Sequence, residues 1–310
     1  MKKENSLNPE KRINKSLMIK IIKIFLLVLL FAVVAEPHPS WGLVMDRNGN
    51  LYFADISHNG GSVWKLTAAG ELKLLLRNFH AHNVSLDNDQ NLITAHGEGN
   101  HTMVRIHPNG KIDTLYHTNN YLEFFGGNCT WSQNGNIIYG LREHKYLRAI
   151  DKNGNQKNIG DYQFTWNQTV YAASDGTIYA TEIGVGNGCI IKIDPSGNSE
   201  VIARNLISSL NRPKDIHNDI LLGIKKDNNG FVYVAETAGK RIIKILSNGQ
   251  TETFYKSEEN WLPTAIEFNS GNSYIPEYKS KNGNDGPRII KLDKSGKKKI
   301  IFDYSNYTKE

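Results

Sequence analysis

The sequence predicts an all-β fold: a six-bladed β-propeller of four-stranded antiparallel blades. Three observations carry that prediction. A two-hairpin pattern recurs six times, Asn-Gly or Asp-Gly turns punctuate the copies, and the strands read as apolar runs without a helical period. The chain has 310 residues and 27 glycines, a length that holds one large β domain and a glycine content that suits many short strands.

A leader precedes the repeats. Residues 1–35 carry seven Lys/Arg against Glu4 and Glu10, a net of +5, which leaves only +1 of the chain's +6 for the rest. The folded part is therefore nearly neutral, and its charge excludes a basic nucleic-acid face. Ile24–Ala35 (IFLLVLLFAVVA) is an apolar run of twelve after a basic stretch. It fits the core of an export signal and falls short of the roughly 20 residues that span a bilayer. Cleavage before Glu36 releases residues 36–310. The alternative is an uncleaved hydrophobic helix, a single-pass anchor extended back to Leu17 through Lys20 and Lys23. In either case the membrane is met only through this segment.

The six copies open with WGLVMDRNGNLYFAD (41–55), HNVSLDNDQNLITAH (82–96), GNCTWSQNGNIIYGL (127–141), QTVYAASDGTIYATE (168–182), LGIKKDNNGFVYVAE (222–236) and PTAIEFNSGNSYIPE (263–277). Each continues through a third strand, a second glycine turn (Gly70, Gly110, Gly154, Gly197, Gly249, Gly296) and a fourth strand. The blades are expected at 41–76, 82–116, 127–159, 168–203, 222–255 and 263–302. One blade cannot bury both faces, whereas six arranged radially can. The count closes on complete copies, so blade 1 is expected to pack on blade 6 without a shared sheet. The two cysteines, Cys129 and Cys189, fall at non-equivalent positions and are expected as buried thiols.

In such a blade the start of the first strand and the end of the second meet at one mouth of the central channel. The second strands end in Asp55, His96, Leu141, Glu182, Glu236 and Glu277. Two readings of this ring stand side by side. In one, His82, His96, Asn128, Glu182 and Glu236 hold one divalent metal (Ca, Mn or Zn), because carboxylate, amide and imidazole donors suit such ions. His82, His217 and Glu236 are then the catalytic candidates, and Trp41, Asp55, Asn83, Trp166, Gln168 and Glu277 contact the ligand. In the other, a carboxylate repeated at each strand end accepts backbone N–H groups from the neighbouring loop. Aromatics in the connecting loops, among them Phe79, Phe164, Trp166 and Trp261, suit a stacking clamp on a small-molecule ligand or substrate.

The motifs x-G-N-[LIV]-Y-[FV]-A-[DE] and [RI]-I-x-K-[IL], over residues 41–302, resemble NHL-repeat propellers and the wider superfamily of gluconolactonase and senescence-marker-type lactonases. The resemblance implies a metal-dependent lactone or ester hydrolase or a related lyase. That family binds its metal through a Glu opening the first blade and an Asn and an Asp opening later inner strands. Asn128 matches the Asn; Trp41-Gly42 stand at the Glu position, and no Asp opens a later inner strand here. The alternative is a non-catalytic extracytoplasmic scaffold for a ligand or a protein partner.

Overall fold

The computed structural model describes residues 39–97, 101–120, 128–140, 145–211, 215, 218–279 and 286–307. The leader at 1–35 and His217 lie outside the described residues. Six antiparallel sheets follow one another along the chain: blade 1 over 43–77, blade 2 over 84–118, blade 3 over 129–159, blade 4 over 167–203, blade 5 over 221–256 and blade 6 over 261–303. Within each sheet the strands pair in chain order from the channel outward.

The turn chemistry explains the hairpins. Asp46 Oδ1 accepts the N–H groups of Asn48 and Asn50, both at 2.9 Å, while Gly49 adopts φ 80°. An aspartate that bonds its own backbone two and four residues on fixes the turn, and the glycine takes the left-handed position without a Cβ clash. Asp87, Asp151, Asp194, Asp227 and Asp293 repeat the arrangement. Blade 2 has Gln90 in the left-handed position, at φ 65°.

The second and third strands are the buried ones. Leu51–Asp55, Ile178–Glu182 and Val232–Glu236 are buried at every residue, whereas the fourth strand Thr251–Lys256 is mostly exposed. The apolar runs are therefore packed on both faces by adjacent blades, and each buried Ile or Leu contributes about 2 kcal/mol. Leu43, Phe53 and Trp64 of blade 1 share a core with Tyr274, Ile289 and Tyr304 at the C-terminal end. Tyr278 OH donates to Ala54 O at 2.8 Å, so blade 6 closes directly on blade 1. The inner strand of blade 6 is split into Trp261–Pro263 and Glu267–Asn269, both paired to the next strand. Cys129 and Cys189 are free and buried, and burial pushes the Cys129 thiol up to about 12.

Candidate functional site

Where the inner strands begin, two of the blade junctions are backbone to backbone. Trp41 and Gly42 N–H both donate to His82 O, at 2.9 and 2.8 Å, and Gly223 N–H donates to Thr264 O at 2.9 Å. These blades thus touch main chain to main chain. A Cβ on Gly42 would stand 2.6 Å from Val84 N, and one on Gly223 2.8 Å from Thr264 O, so only glycine allows this approach. Asn83 reaches across from blade 2: its Nδ2 donates to Cys129 O at 3.1 Å and lies 3.5 Å from Val170 O. Trp41 and Gln168 are both buried, and Trp166 Nε1 donates to Gln168 Oε1 at 3.2 Å.

The strand-end carboxylates are engaged by the loops. Glu182 accepts from Thr165 N at 2.6 Å, Trp166 N at 3.1 Å and Gly184 N at 2.7 Å. Glu236 accepts from Ser208 N and Oγ, both at 3.0 Å, Gly239 N at 2.7 Å and Arg241 Nε at 2.8 Å. Glu277 binds Tyr255 OH at 2.8 Å, Arg288 Nε at 2.7 Å and the Ser257 hydroxyl. Burial and the Glu277 charge hold the Tyr255 phenol far above its ordinary range. In these three blades the carboxylate ties the chain arriving from the preceding blade to the next hairpin. Asp55 instead grips its own loop, through Ser57 N at 2.9 Å and His58 Nδ1 at 2.7 Å.

The proposed metal ligands are consequently not assembled. Among the described residues no group of three or more His, Cys, Asp or Glu side chains is placed to hold a metal ion. Glu182 and Glu236 spend their oxygens on loop donors. Asn128 donates to Asn167 Oδ1 and accepts from Val170 N, each at 3.2 Å. His96 packs edge-on against Phe79, with ring centroids 5.1 Å apart. This donor set does not fit a divalent ion.

His82 has a different companion. Its Nε2 lies 3.0 Å from Nε2 of His80, and its ring stacks on Trp41 at 4.8 Å and 18°. His82 is buried and His80 half-exposed. The sequence reading missed His80, which stands before the repeat in a tight turn where Ala81 N–H donates to Phe79 O at 2.8 Å; no periodicity marks it.

The same inner strands open at their other end. There a cavity of about 320 Å³ is bounded by all six blades, from Trp41, Asn83 and Thr169 at its inner end to Arg47, Gln133 and Ser174 at its rim. Two ion pairs stand at its wall, Lys225–Glu267 at 2.7 Å and Arg105–Asp87 at 2.8 Å. Each cation also lies over an aromatic ring, Tyr171 and Trp131 respectively, 5.2 Å from the centroid. Burial pulls the Lys225 ammonium down, but Glu267 and Tyr171 outweigh it and raise its pKa overall. Neither His82 nor Glu236 is on the lining of this cavity.

No protein-family model matches the chain, and no curated protein matches its sequence. Solved structures do match its fold. Virginiamycin B lyase from Staphylococcus aureus is 16% identical, with 86% of this chain and 85% of that one aligned at a TM-score of 0.57. Regucalcin from Agrobacterium tumefaciens, described as a calcium-binding protein, is 13% identical over 80% of this chain and 84% of that one, TM-score 0.58. A gluconolactonase from Xanthomonas campestris is 14% identical over 77% and 83%, TM-score 0.57. Likeness at this level of identity shows the shared propeller architecture.

Proposed function

We propose that the chain is an exported propeller that cleaves an ester or lactone bond of a small molecule, with the His80–His82 pair as its proton acceptor. The 3.0 Å contact between the two Nε2 atoms carries the reading. In the neutral pair one ring donates Nε2–H to the other. A proton taken up by the pair leaves a cation whose Nε2–H still points at its neighbour. In hydrolysis that proton comes from water as its oxygen attacks the carbonyl; the C–O bond then breaks and the proton passes to the departing alkoxide. In elimination it comes from carbon, the C–H electrons form a C=C bond and a carboxylate leaves. His82, clamped by Trp41, is the positioning residue, and half-exposed His80 is the ring a ligand reaches.

Support comes from two sides. The architecture is shared with a lyase and a gluconolactonase, and a histidine-to-alanine variant of that lyase, solved with quinupristin, is described as catalytically inactive. Export rests on the apolar run Ile24–Ala35 after its basic stretch, cleaved or kept as an anchor. A second reading, a binding scaffold without chemistry, is favoured by the engagement of Glu182, Glu236 and Glu277 in loop contacts.

The test is turnover of gluconolactone, an aryl ester and a cyclic depsipeptide by the full-length protein and by His80→Ala and His82→Ala. Both variants should lose at least about 100-fold in kcat/KM with little change in Tm. No turnover of any of the three by the wild type, or turnover indifferent to both substitutions, overturns the enzyme in favour of the scaffold.

A further inference from the structure

The open end of the channel carries polar groups that the fold leaves unused. Thr169 lines the cavity at its inner end and is 1% exposed, and its buried hydroxyl has no protein partner; the buried indole N–H of Trp131 also lacks one. Leaving a buried donor unsatisfied costs about 1–3 kcal/mol, so both groups call for an acceptor from outside the protein. At the rim the charges are unequal in availability. Lys225 and Asp87 are committed to Glu267 and Arg105, whereas Arg47, exposed, enters no ion pair among the described residues. The uncommitted charge on the lining is therefore positive.

The walls between these two ends are apolar and aromatic: Val44, Leu86, Val170 and Ile224 with Trp131 and Tyr171. The Trp131 main chain is fixed in place, since its backbone N–H donates to Ser85 Oγ of blade 2 at 3.0 Å. Thr169 lies on the inner strand Asn167–Ala172, whereas Ser174, at the position equivalent to Arg47, lies in the turn that follows, so the cavity runs from the strand to the rim of its turn. A volume of about 320 Å³ lies at the lower end of the range that takes small organic ligands.

We propose that this end of the channel binds an elongated aromatic carboxylate, with its carboxylate on Arg47, its ring against Trp131 and Tyr171, and an acceptor oxygen at its far end on the Thr169 hydroxyl. The site is separate from the histidine pair and stands whether or not that pair is catalytic. The ligand needs an anion for the rim, a π-surface for the wall and an oxygen for the buried donor. A free sugar lacks the first two, and a simple fatty acid lacks the last two.

The experiment is calorimetric titration of the full-length protein with 4-hydroxycinnamate, cinnamate and methyl 4-hydroxycinnamate. The acid should bind at least tenfold more tightly than its ester, and more tightly than cinnamate. Arg47→Gln should abolish the preference for acid over ester. Thr169→Val, which keeps the shape and removes only a hydroxyl without a protein partner, should abolish the preference for 4-hydroxycinnamate over cinnamate without lowering Tm. His80→Ala should change none of these affinities, which separates this site from the proposed reaction. Absence of binding at millimolar concentration, equal binding of all three probes, or a preference that survives its own variant overturns the proposal.

Discussion

The two ends of the central channel are made from the same six inner strands, yet they are stitched by different means. Where the strands begin, blades 1 and 2 and blades 5 and 6 join through backbone bonds, Gly42 to His82 and Gly223 to Thr264, the side chains of Asn83 and Asn128 link blades 2, 3 and 4, and buried carboxylates hold the incoming loops. Where the strands end, the joins are side chains. Asn88 Nδ2 reaches Gln133 O at 3.2 Å, Lys225 pairs with Glu267 at 2.7 Å, and Lys226 pairs with Asp175. Joins that rest on glycine tolerate almost no change of residue, whereas side-chain joins leave gaps between them. The first end is thus the more constrained, and the second is freer to vary its lining.

Disturbing the constrained end should have the largest effect. Glu236→Ala leaves Ser208 N–H, Gly239 N–H and the Arg241 guanidinium without their common acceptor, at a cost of about 3 kcal/mol. Chemical denaturation measures it. A variant as stable as wild type, with activity lost, would return Glu236 to a catalytic role. Next comes Gly42→Ala. Its Cβ would overlap Val84 N and the Asn83 backbone, and blades 1 and 2 must part to admit it. Overpacking against backbone predicts a loss of about 2 kcal/mol, and the same experiment reads it. A neutral Gly42→Ala would mean that the blades are not in main-chain contact.

What was legible in the sequence follows the same division. The turns were legible because a glycine at a fixed offset after each inner strand has a local cause; even Gln90 could be placed by its alignment with Gly49 and Gly135. The repeated strand-end carboxylate was visible too, and its repetition pointed to the loop-holding role that Glu182 and Glu236 have here. Which end of the channel stays open was not legible. It depends on whether strands 40 residues apart approach within hydrogen-bonding distance, and no single segment encodes that. Arg47, Trp131 and Thr169 therefore drew no notice, since each is unremarkable in its own copy. His80 was not legible for a narrower reason: it precedes the repeat, and it meets His82 across a tight turn that no periodicity announces.

The smallest effect belongs to the open end and depends on pH. The Lys226 ammonium beside Asp175 holds its carboxyl down to about 2, and the hydrogen bonds of Asn50, Tyr52 and Asn48 lower Asp46 despite its burial, which acts the other way. Carboxyls whose folded pKa is depressed stabilise the protein fully above their unfolded value near 4, and that contribution fades as pH falls toward 2. Stability should therefore be level above about pH 5 and decline through that window. The Lys226 pair is half exposed on its Asp175 side, so its share is only about 0.5 kcal/mol, or one to two degrees in Tm for a domain of this size. Lys226→Met should lower Tm by that amount at pH 7 and by clearly less near pH 2, where wild-type Asp175 is about half protonated. Differential scanning calorimetry at the two pH values measures both. An equal deficit at pH 2 would mean that Lys226 stabilises the rim through its aliphatic stem and not through its charge, and the side-chain stitching of this end would then be apolar in origin.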